Sequence, residues 1–151
     1  MTPRAEHGPV TAGEPACRAA RAAAVAFTVV AVAGSVPGLT TNLDRIELAG
    51  WESGALLLGI VRVSVTGNLV HLVMAGLALA AARSEEAATR YLVWGGAAYT
   101  LLSCHRFLVD LVVAGGRVPG QGVGEWLPVA AGLALVLTGT LSGKVSWSAA
   151  D

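Results

Sequence analysis

Seven polar or ionisable residues stand within or at the edges of otherwise apolar stretches: Arg62, Asn68, His71, His105, Arg106, Asp110 and Glu125. An ionisable group in hydrocarbon costs roughly 2.5 kcal/mol or more, so each needs a partner, water or a use. Asn68 and His71 are three apart and would share a helix face. Arg106 and Asp110 are four apart and spaced to pair, and Arg62 with Glu125 makes a second pair of opposite sign, so the group is neutral when its imidazoles are neutral. Three chemistries fit. The preferred one is a structural polar network, with helix starts satisfied by Asn68 and Glu125 and hydrogen bonds across helices. His71 and His105 could instead ligate a metal or haem, since imidazole serves both, although no third ligand pattern accompanies them. Alternatively His71, Asp110 and Glu125 could line an outward-facing pocket or proton path for a small solute. No Ser/His/Asp order, phosphate loop or paired carboxylates occur, so neither an enzyme nor a cofactor is expected.

The elements that must position these residues are written in the composition. Of 151 residues, 54% are hydrophobic and 13% charged, and the mean hydropathy is +0.65. A water-soluble domain carries about 25% charged residues, so half the expected water-facing charge is missing and lipid is the expected surroundings. Net charge is zero, with one lysine, Lys144, and no basic run, which argues against nucleic acid as a partner. Cys17 and Cys104 fit no metal-ligand spacing, and no disulfide between them is expected.

A transmembrane helix needs about 20 apolar residues. Residues 1–18, rich in Pro, Gly, Ala and Glu, read as a disordered cytoplasmic tail. The first crossing is expected over 19–39, with Arg21 reaching back to the interface. A cleavable secretory signal ending at Ala31-Val32-Ala33 is the rival reading. The long region before the apolar run, diluted by Glu6 and Glu14, and the apolar segments that follow speak against it. A polar loop, Thr40 to Ser53, precedes Gly54 to Ala82. As one helix that last stretch would be about 43 Å long, too long for a core of about 30 Å. Thr66-Gly67 is the natural break, giving a short interfacial or re-entrant helix over 55–65 and a second crossing over 68–82. Arg83 to Arg90 is a charged turn, 91–114 the third crossing, a Gly/Pro-rich turn follows, and 126–142 is the fourth. Residues 144–151 form a second cytoplasmic tail. The expected fold is therefore all-α: an integral membrane four-helix bundle over 19–143 with an interfacial helix between helices 1 and 2.

With an even number of crossings both termini share a side. Arg4, Arg18, Arg21, Arg83, Arg90 and Lys144 fall on that side and Arg45, Arg62 and Arg117 on the other, which places the termini in the cytoplasm and the protein in the plasma membrane. His105 then lies about 21 Å and Asp110 about 29 Å along the third helix, and all seven polar residues gather near the outer leaflet. A weak duplication is also present. Val32-Ala33-Gly34-Ser35-Val36-Pro37-Gly38 is echoed by Val113-Ala114-Gly115-Gly116-Arg117-Val118-Pro119-Gly120, and Gly76-Leu77-Ala78-Leu79-Ala80 by Gly132-Leu133-Ala134-Leu135-Val136. Two tandem parallel hairpins would explain both. Gly76, Gly95, Gly96, Gly132, Gly139 and Gly143 are the expected helix-packing positions, the last pair as a GxxxG, within the bundle or between protomers. Trp94 and Tyr99 read as packing aromatics. The bilayer is the expected partner, with a second copy or another membrane protein as the candidate protein partner.

Asn68-Leu69-Val70-His71-Leu72, followed by Gly76-Leu77, an Ala-rich helix end, Tyr91-Leu92 and Gly95-Gly96-Ala97-Ala98-Tyr99, resembles the domain of unknown function 4383 family. These are small four-helix membrane proteins found mainly in actinobacteria, and the resemblance runs from about Ala22 to Leu141. Two positions depart from the pattern: Gly67 stands where a second histidine often precedes the Asn, and Glu125-Trp126-Leu127-Pro128 replaces an Asn/Trp/Leu/His opening of the fourth helix. The resemblance implies topology and supplies no activity.

Overall fold

The first helix, α1, runs Glu14–Ala33 and carries a stripe of small residues at helical spacing. Ala16, Ala20, Ala23, Ala24, Phe27 and Ala31 are buried, while Val25, Val29 and Val32 on the other face are exposed. Small side chains let a neighbouring helix approach closely, and α1 packs chiefly on α2, Val65–Ala81. The computed structural model describes residues 14–49, 53–113 and 123–148. Residues 1–13 of the expected first tail thus lie outside the described residues, whereas Glu14 to Arg18 are helical. Pro37, which cannot continue a helix, and Gly38, at φ 91°, stand in the turn after α1.

Between α1 and α2 the expectation of an interfacial helix is corrected. Residues 55–65 contribute instead to a three-stranded antiparallel sheet of β1 Thr40–Thr41, β2 Leu56–Leu57 and β3 Val61–Arg62, in that order. The register pairs Thr40 with Leu57 and Leu57 in turn with Val61. Leu58 and Gly59 both have positive φ, 52° and 71°, and the Ile60 amide donates to the Leu57 carbonyl at 3.0 Å. Positive φ at both central positions is what a tight hairpin turn requires. β-Branched Ile60, Val61 and Val63 suit a pleated, half-buried surface better than a helix. Ala55, Leu57 and Val63 form a small core beneath Val30 and Ala33 of α1. The polar loop also holds a 3₁₀ turn, Leu43–Arg45.

The chain enters α2 three residues before Gly67. Ser64 is the cap: its Oγ accepts from the Gly67 amide at 3.0 Å, and the Val65 and Thr66 amides donate to the carbonyls of Glu47 and Leu48. The donors that a helix start leaves open are thereby met by the cap and by the loop above it.

The expected charged turn is likewise mostly helix. Ser84 caps α3, Glu85–Arg90, and Glu85 and Glu86 complement the positive end of the helix dipole. Glu86 also pairs with Arg90 one turn on. A π-helical turn, Tyr91–Gly95, joins α3 to α4, Gly96–Val113, and the Tyr91 hydroxyl ties this turn to α2 by donating to the Met74 carbonyl at 3.0 Å. The last helix, α5, spans Val123–Ser148 with Pro128 inside it; it takes in residues 144–148 of the expected second tail. Residues 114–122, including the second copy of the duplicated turn, lie outside the described residues.

α5 packs on α4 and the π turn through glycines. A Cβ on Gly96 would lie 2.8 Å from Leu135 Cβ and 2.9 Å from the Gly132 carbonyl, and one on Gly139 would lie 2.8 Å from Leu92 Cβ. A Cβ on Gly132 would collide with the Thr100 hydroxyl. Gly143 is looser, 3.5 Å from Thr89 by the same measure. Of the GxxxG pair, Gly139 thus makes a close contact within the chain. Among the described residues two of the expected packing glycines lie outside the close seams of this chain: Gly76 faces open space, and Gly95 packs against the ring of Tyr91 one turn earlier. Overall the described chain is mostly helical, with one small sheet at the end where α1 and α4 finish and α2 and α5 begin.

Candidate functional site

Toward the sheet the helices border a half-open cavity of about 620 Å³. α1 contributes Phe27 and Val30, α2 Asn68 and His71, α4 Tyr99 to Val109, α5 Gly124 to Leu135, and the sheet contributes Leu57, Arg62 and Val63. All the long helices therefore supply walls, and the sheet covers one end. Among the seven residues expected from sequence, Arg62, Asn68, His71, His105 and Arg106 line this one cavity. Asp110 lies on α4 and Glu125 on α5; their side chains, and with them the expected pairs with Arg106 and Arg62, lie outside what the structure describes.

Asn68 is buried, 8% exposed, and its side-chain amide donates to Ser35 Oγ at 3.0 Å, linking α2 to the turn after α1. Its Oδ1 lies against the backbone of Gly34: a Cβ there would sit 2.7 Å from it. Any larger residue at position 34 would displace the amide. Neither Asn68 Oδ1 nor His71 Nδ1 has a hydrogen-bond partner among the described residues.

One turn further along α2, His71 Nε2 and the Tyr99 hydroxyl are 2.9 Å apart. Phe27 stacks on His71, centroids 5.8 Å apart, and meets Tyr99 edge-on at 5.0 Å. Three helices thus meet in one aromatic layer. This arrangement separates the two histidines. Tyr99 and His105 are six residues apart on α4, about 9 Å along its axis. His71 Nε2 is already engaged by the Tyr99 hydroxyl, so the joint ligation by His71 and His105 considered from sequence would have to break that contact. Among the described residues no group of three or more His, Cys, Asp or Glu is placed to hold a metal ion. His105 is exposed, at the cavity's rim.

Arg106 donates from Nη2 to the carbonyl of Arg62 at 3.2 Å, tying α4 to β3. Gly124, at the start of α5, abuts the same strand so closely that a Cβ would collide with the Ile60 carbonyl. Both cysteines, Cys17 and Cys104, are free thiols.

Sequence reasoning missed Gly34, Ser35, Phe27 and the polar role of Tyr99. Gly34 and Ser35 were expected inside the first crossing over 19–39, but α1 ends at Ala33 and leaves both in the turn that follows. Tyr99 does carry a signal, since it follows Tyr91 and Leu92 at about two helical turns and continues their face.

No curated protein and no solved structure matches the chain. The family model described as domain of unknown function (DUF4383) matches residues 18–141, which takes in α1 to α4, the sheet and most of α5. The chain belongs to the DUF4383 family.

Proposed function

We propose that this is a multi-pass protein of the plasma membrane, with both termini cytoplasmic, whose interhelical cavity binds a small and largely apolar ligand without transforming it. The membrane part rests on two helical segments long and apolar enough to cross a bilayer, Pro15–Ala33 and Trp126–Gly143, with a shorter apolar helix at Val65–Ala81. Only 33% of the first window and 17% of the second are buried, whereas the core helix of a soluble protein would be mostly buried. Their outward faces carry Val25, Val29, Leu133, Leu137 and Leu141, which lipid would cover. α1 also supplies five residues to the main core, a role that favours its retention over removal as a leader. The larger number of Lys and Arg on the side of the termini supports the orientation.

One observation carries the binding reading: a cavity of about 620 Å³, mostly apolar, with a few polar groups converging on it. Ligand sites have this size and lining, and bundles place them between helices. The test is native mass spectrometry of protein released from nanodiscs. A small-molecule adduct is expected on the wild type and is expected to weaken or vanish in Ala131→Trp, which puts an indole on the cavity wall. Bare protein in both samples would refute binding.

A structural role has its own support. The Asn68–Ser35, His71–Tyr99 and Arg106–Arg62 contacts each bridge different elements, as polar glue in membrane bundles does. The two readings share residues: Asn68, His71 and Arg106 join the walls and, with Arg62 and His105, also line the space between them.

A further inference from the structure

Tyr99 lines the cavity from α4 and is itself only 5% exposed. Its hydroxyl has one hydrogen-bond partner among the described residues, His71 Nε2. Phe27 packs against both rings and fixes their planes. A phenol can donate one hydrogen bond and accept others, whereas a neutral imidazole carries its proton on one nitrogen only. Where that proton sits decides what the Tyr99 hydroxyl has left to offer the cavity.

The far side of the imidazole settles the choice. His71 Nδ1 is buried without a partner among the described residues, and so is Asn68 Oδ1, the acceptor three residues earlier on the same helix face. Asn68 is held away from the ring: its Nδ2 donates to Ser35 Oγ, and its Oδ1 lies against Gly34. Both atoms are covered by protein, so neither has room beside it for a water. A proton on Nδ1 would therefore be a donor sealed from every acceptor, a cost that buried N–H groups rarely bear. With the proton on Nε2, His71 donates to the Tyr99 oxygen, and the unpaired donor becomes the Tyr99 O–H. Tyr99 borders the cavity, where a bound molecule can accept from it. The bare Nδ1 that remains is an under-satisfied acceptor, which proteins tolerate better than an orphaned N–H.

Resting on the binding reading above, we infer that the cavity takes a largely apolar molecule carrying a carbonyl oxygen, which accepts a hydrogen bond from Tyr99. A carbonyl oxygen only accepts, so it satisfies the phenol without bringing a donor that needs a partner of its own. Ketone and ester carbonyls share this chemistry. His71 is the positioning residue: by donating to the Tyr99 oxygen it turns the phenol proton toward the ligand. The contact is worth about fivefold in affinity, the contribution of one net hydrogen bond, and it fixes where along the helices the oxygen lies.

The test uses the full chain in alkyl maltoside micelles, which contain no carbonyl group, with dihexyl ketone, hexyl hexanoate and tridecane as probes of equal chain length. Native mass spectrometry follows binding, and infrared difference spectra follow the carbonyl stretch. The ketone or the ester is expected to bind about fivefold tighter than tridecane, with its stretch lowered on binding. The tighter of the two identifies the carbonyl type. Tyr99→Phe keeps the ring between His71 and Phe27; it is expected to abolish the preference and the infrared shift while leaving tridecane binding unchanged. Nitrogen NMR of labelled histidine is expected to find the His71 proton on Nε2 in the ketone-loaded protein. Equal binding of ketone, ester and tridecane to the wild type, with no lowering of the stretch, would overturn the Tyr99 contact while sparing the cavity. A proton on Nδ1 in the loaded protein would overturn it as well. Binding of none of the three, or binding that Ala131→Trp leaves untouched, would overturn the cavity reading itself.

Discussion

Toward Ala16 and Ala88 the helices close on small side chains, whereas toward the sheet Phe27, His71, Tyr99 and Arg106 stand between them. In the first region Ala20, Ala78 and Ala88 are fully buried, and α5 lies against the π turn where Gly139 leaves no room for a Cβ. In the second, the same helices are joined by individual polar contacts and leave about 620 Å³ unfilled. The contrast shows how one bundle combines rigidity with a cavity. Small residues permit close backbone approach and van der Waals packing along one length. Bulky and polar residues then hold the helices apart where a site is built, and hydrogen bonds take over the work of fixing their register.

The largest effect should come from filling the close seam. Gly139→Leu is expected to cost about 3 kcal/mol by overpacking against Leu92 and Val93, while Ala131→Leu, which adds the larger side chain beside the cavity, should stay within about 0.5 kcal/mol. Thermal melts in detergent would compare them, and equal losses would erase the distinction between the two regions. Next in size is the Asn68 link. Asn68→Ala should lower stability by about 1 kcal/mol, the worth of a typical net hydrogen bond. A double-mutant cycle with Ser35→Ala should show coupling between the two; additive effects would mean the contact does not hold α2 to the turn. The smallest is Gly76→Ala. Gly76 faces open space within α2, so the substitution should raise stability by up to about 1 kcal/mol through helix propensity alone. A loss there would reveal a close contact with something beyond the described residues of this chain.

The helices were legible because each is marked by a long apolar run, and such runs report local energetics. Their starts were less so. Ser64 and Ser84 are N-caps whose side chains accept from the third following amide, and both can be found from sequence. The charges after Ser84 nevertheless looked like a loop, because the expectation ended helices where hydrocarbon would end. The sheet was hidden for another reason. Its strands are two residues long, and Thr40 meets Leu57 only through a non-local pairing, so no periodicity could accumulate. Gly59 among β-branched residues was the one available hint. For the site, five of the seven residues singled out line a single cavity, and all five lie on strands or helices that begin or end toward the sheet.

Sequence alone determined the apolar helical segments, the family and the short set of polar residues worth examining, since all three depend on residue type and spacing along one chain. The tertiary structure decided that His71 meets Tyr99 and lies away from His105, that Asn68 fits only beside Gly34, and that Arg62 and Arg106 border one cavity. Those outcomes depend on how far each helix is rotated and how closely it approaches its neighbour. Glycines and alanines on other helices set both, and no local pattern around His71 or Arg106 encodes them.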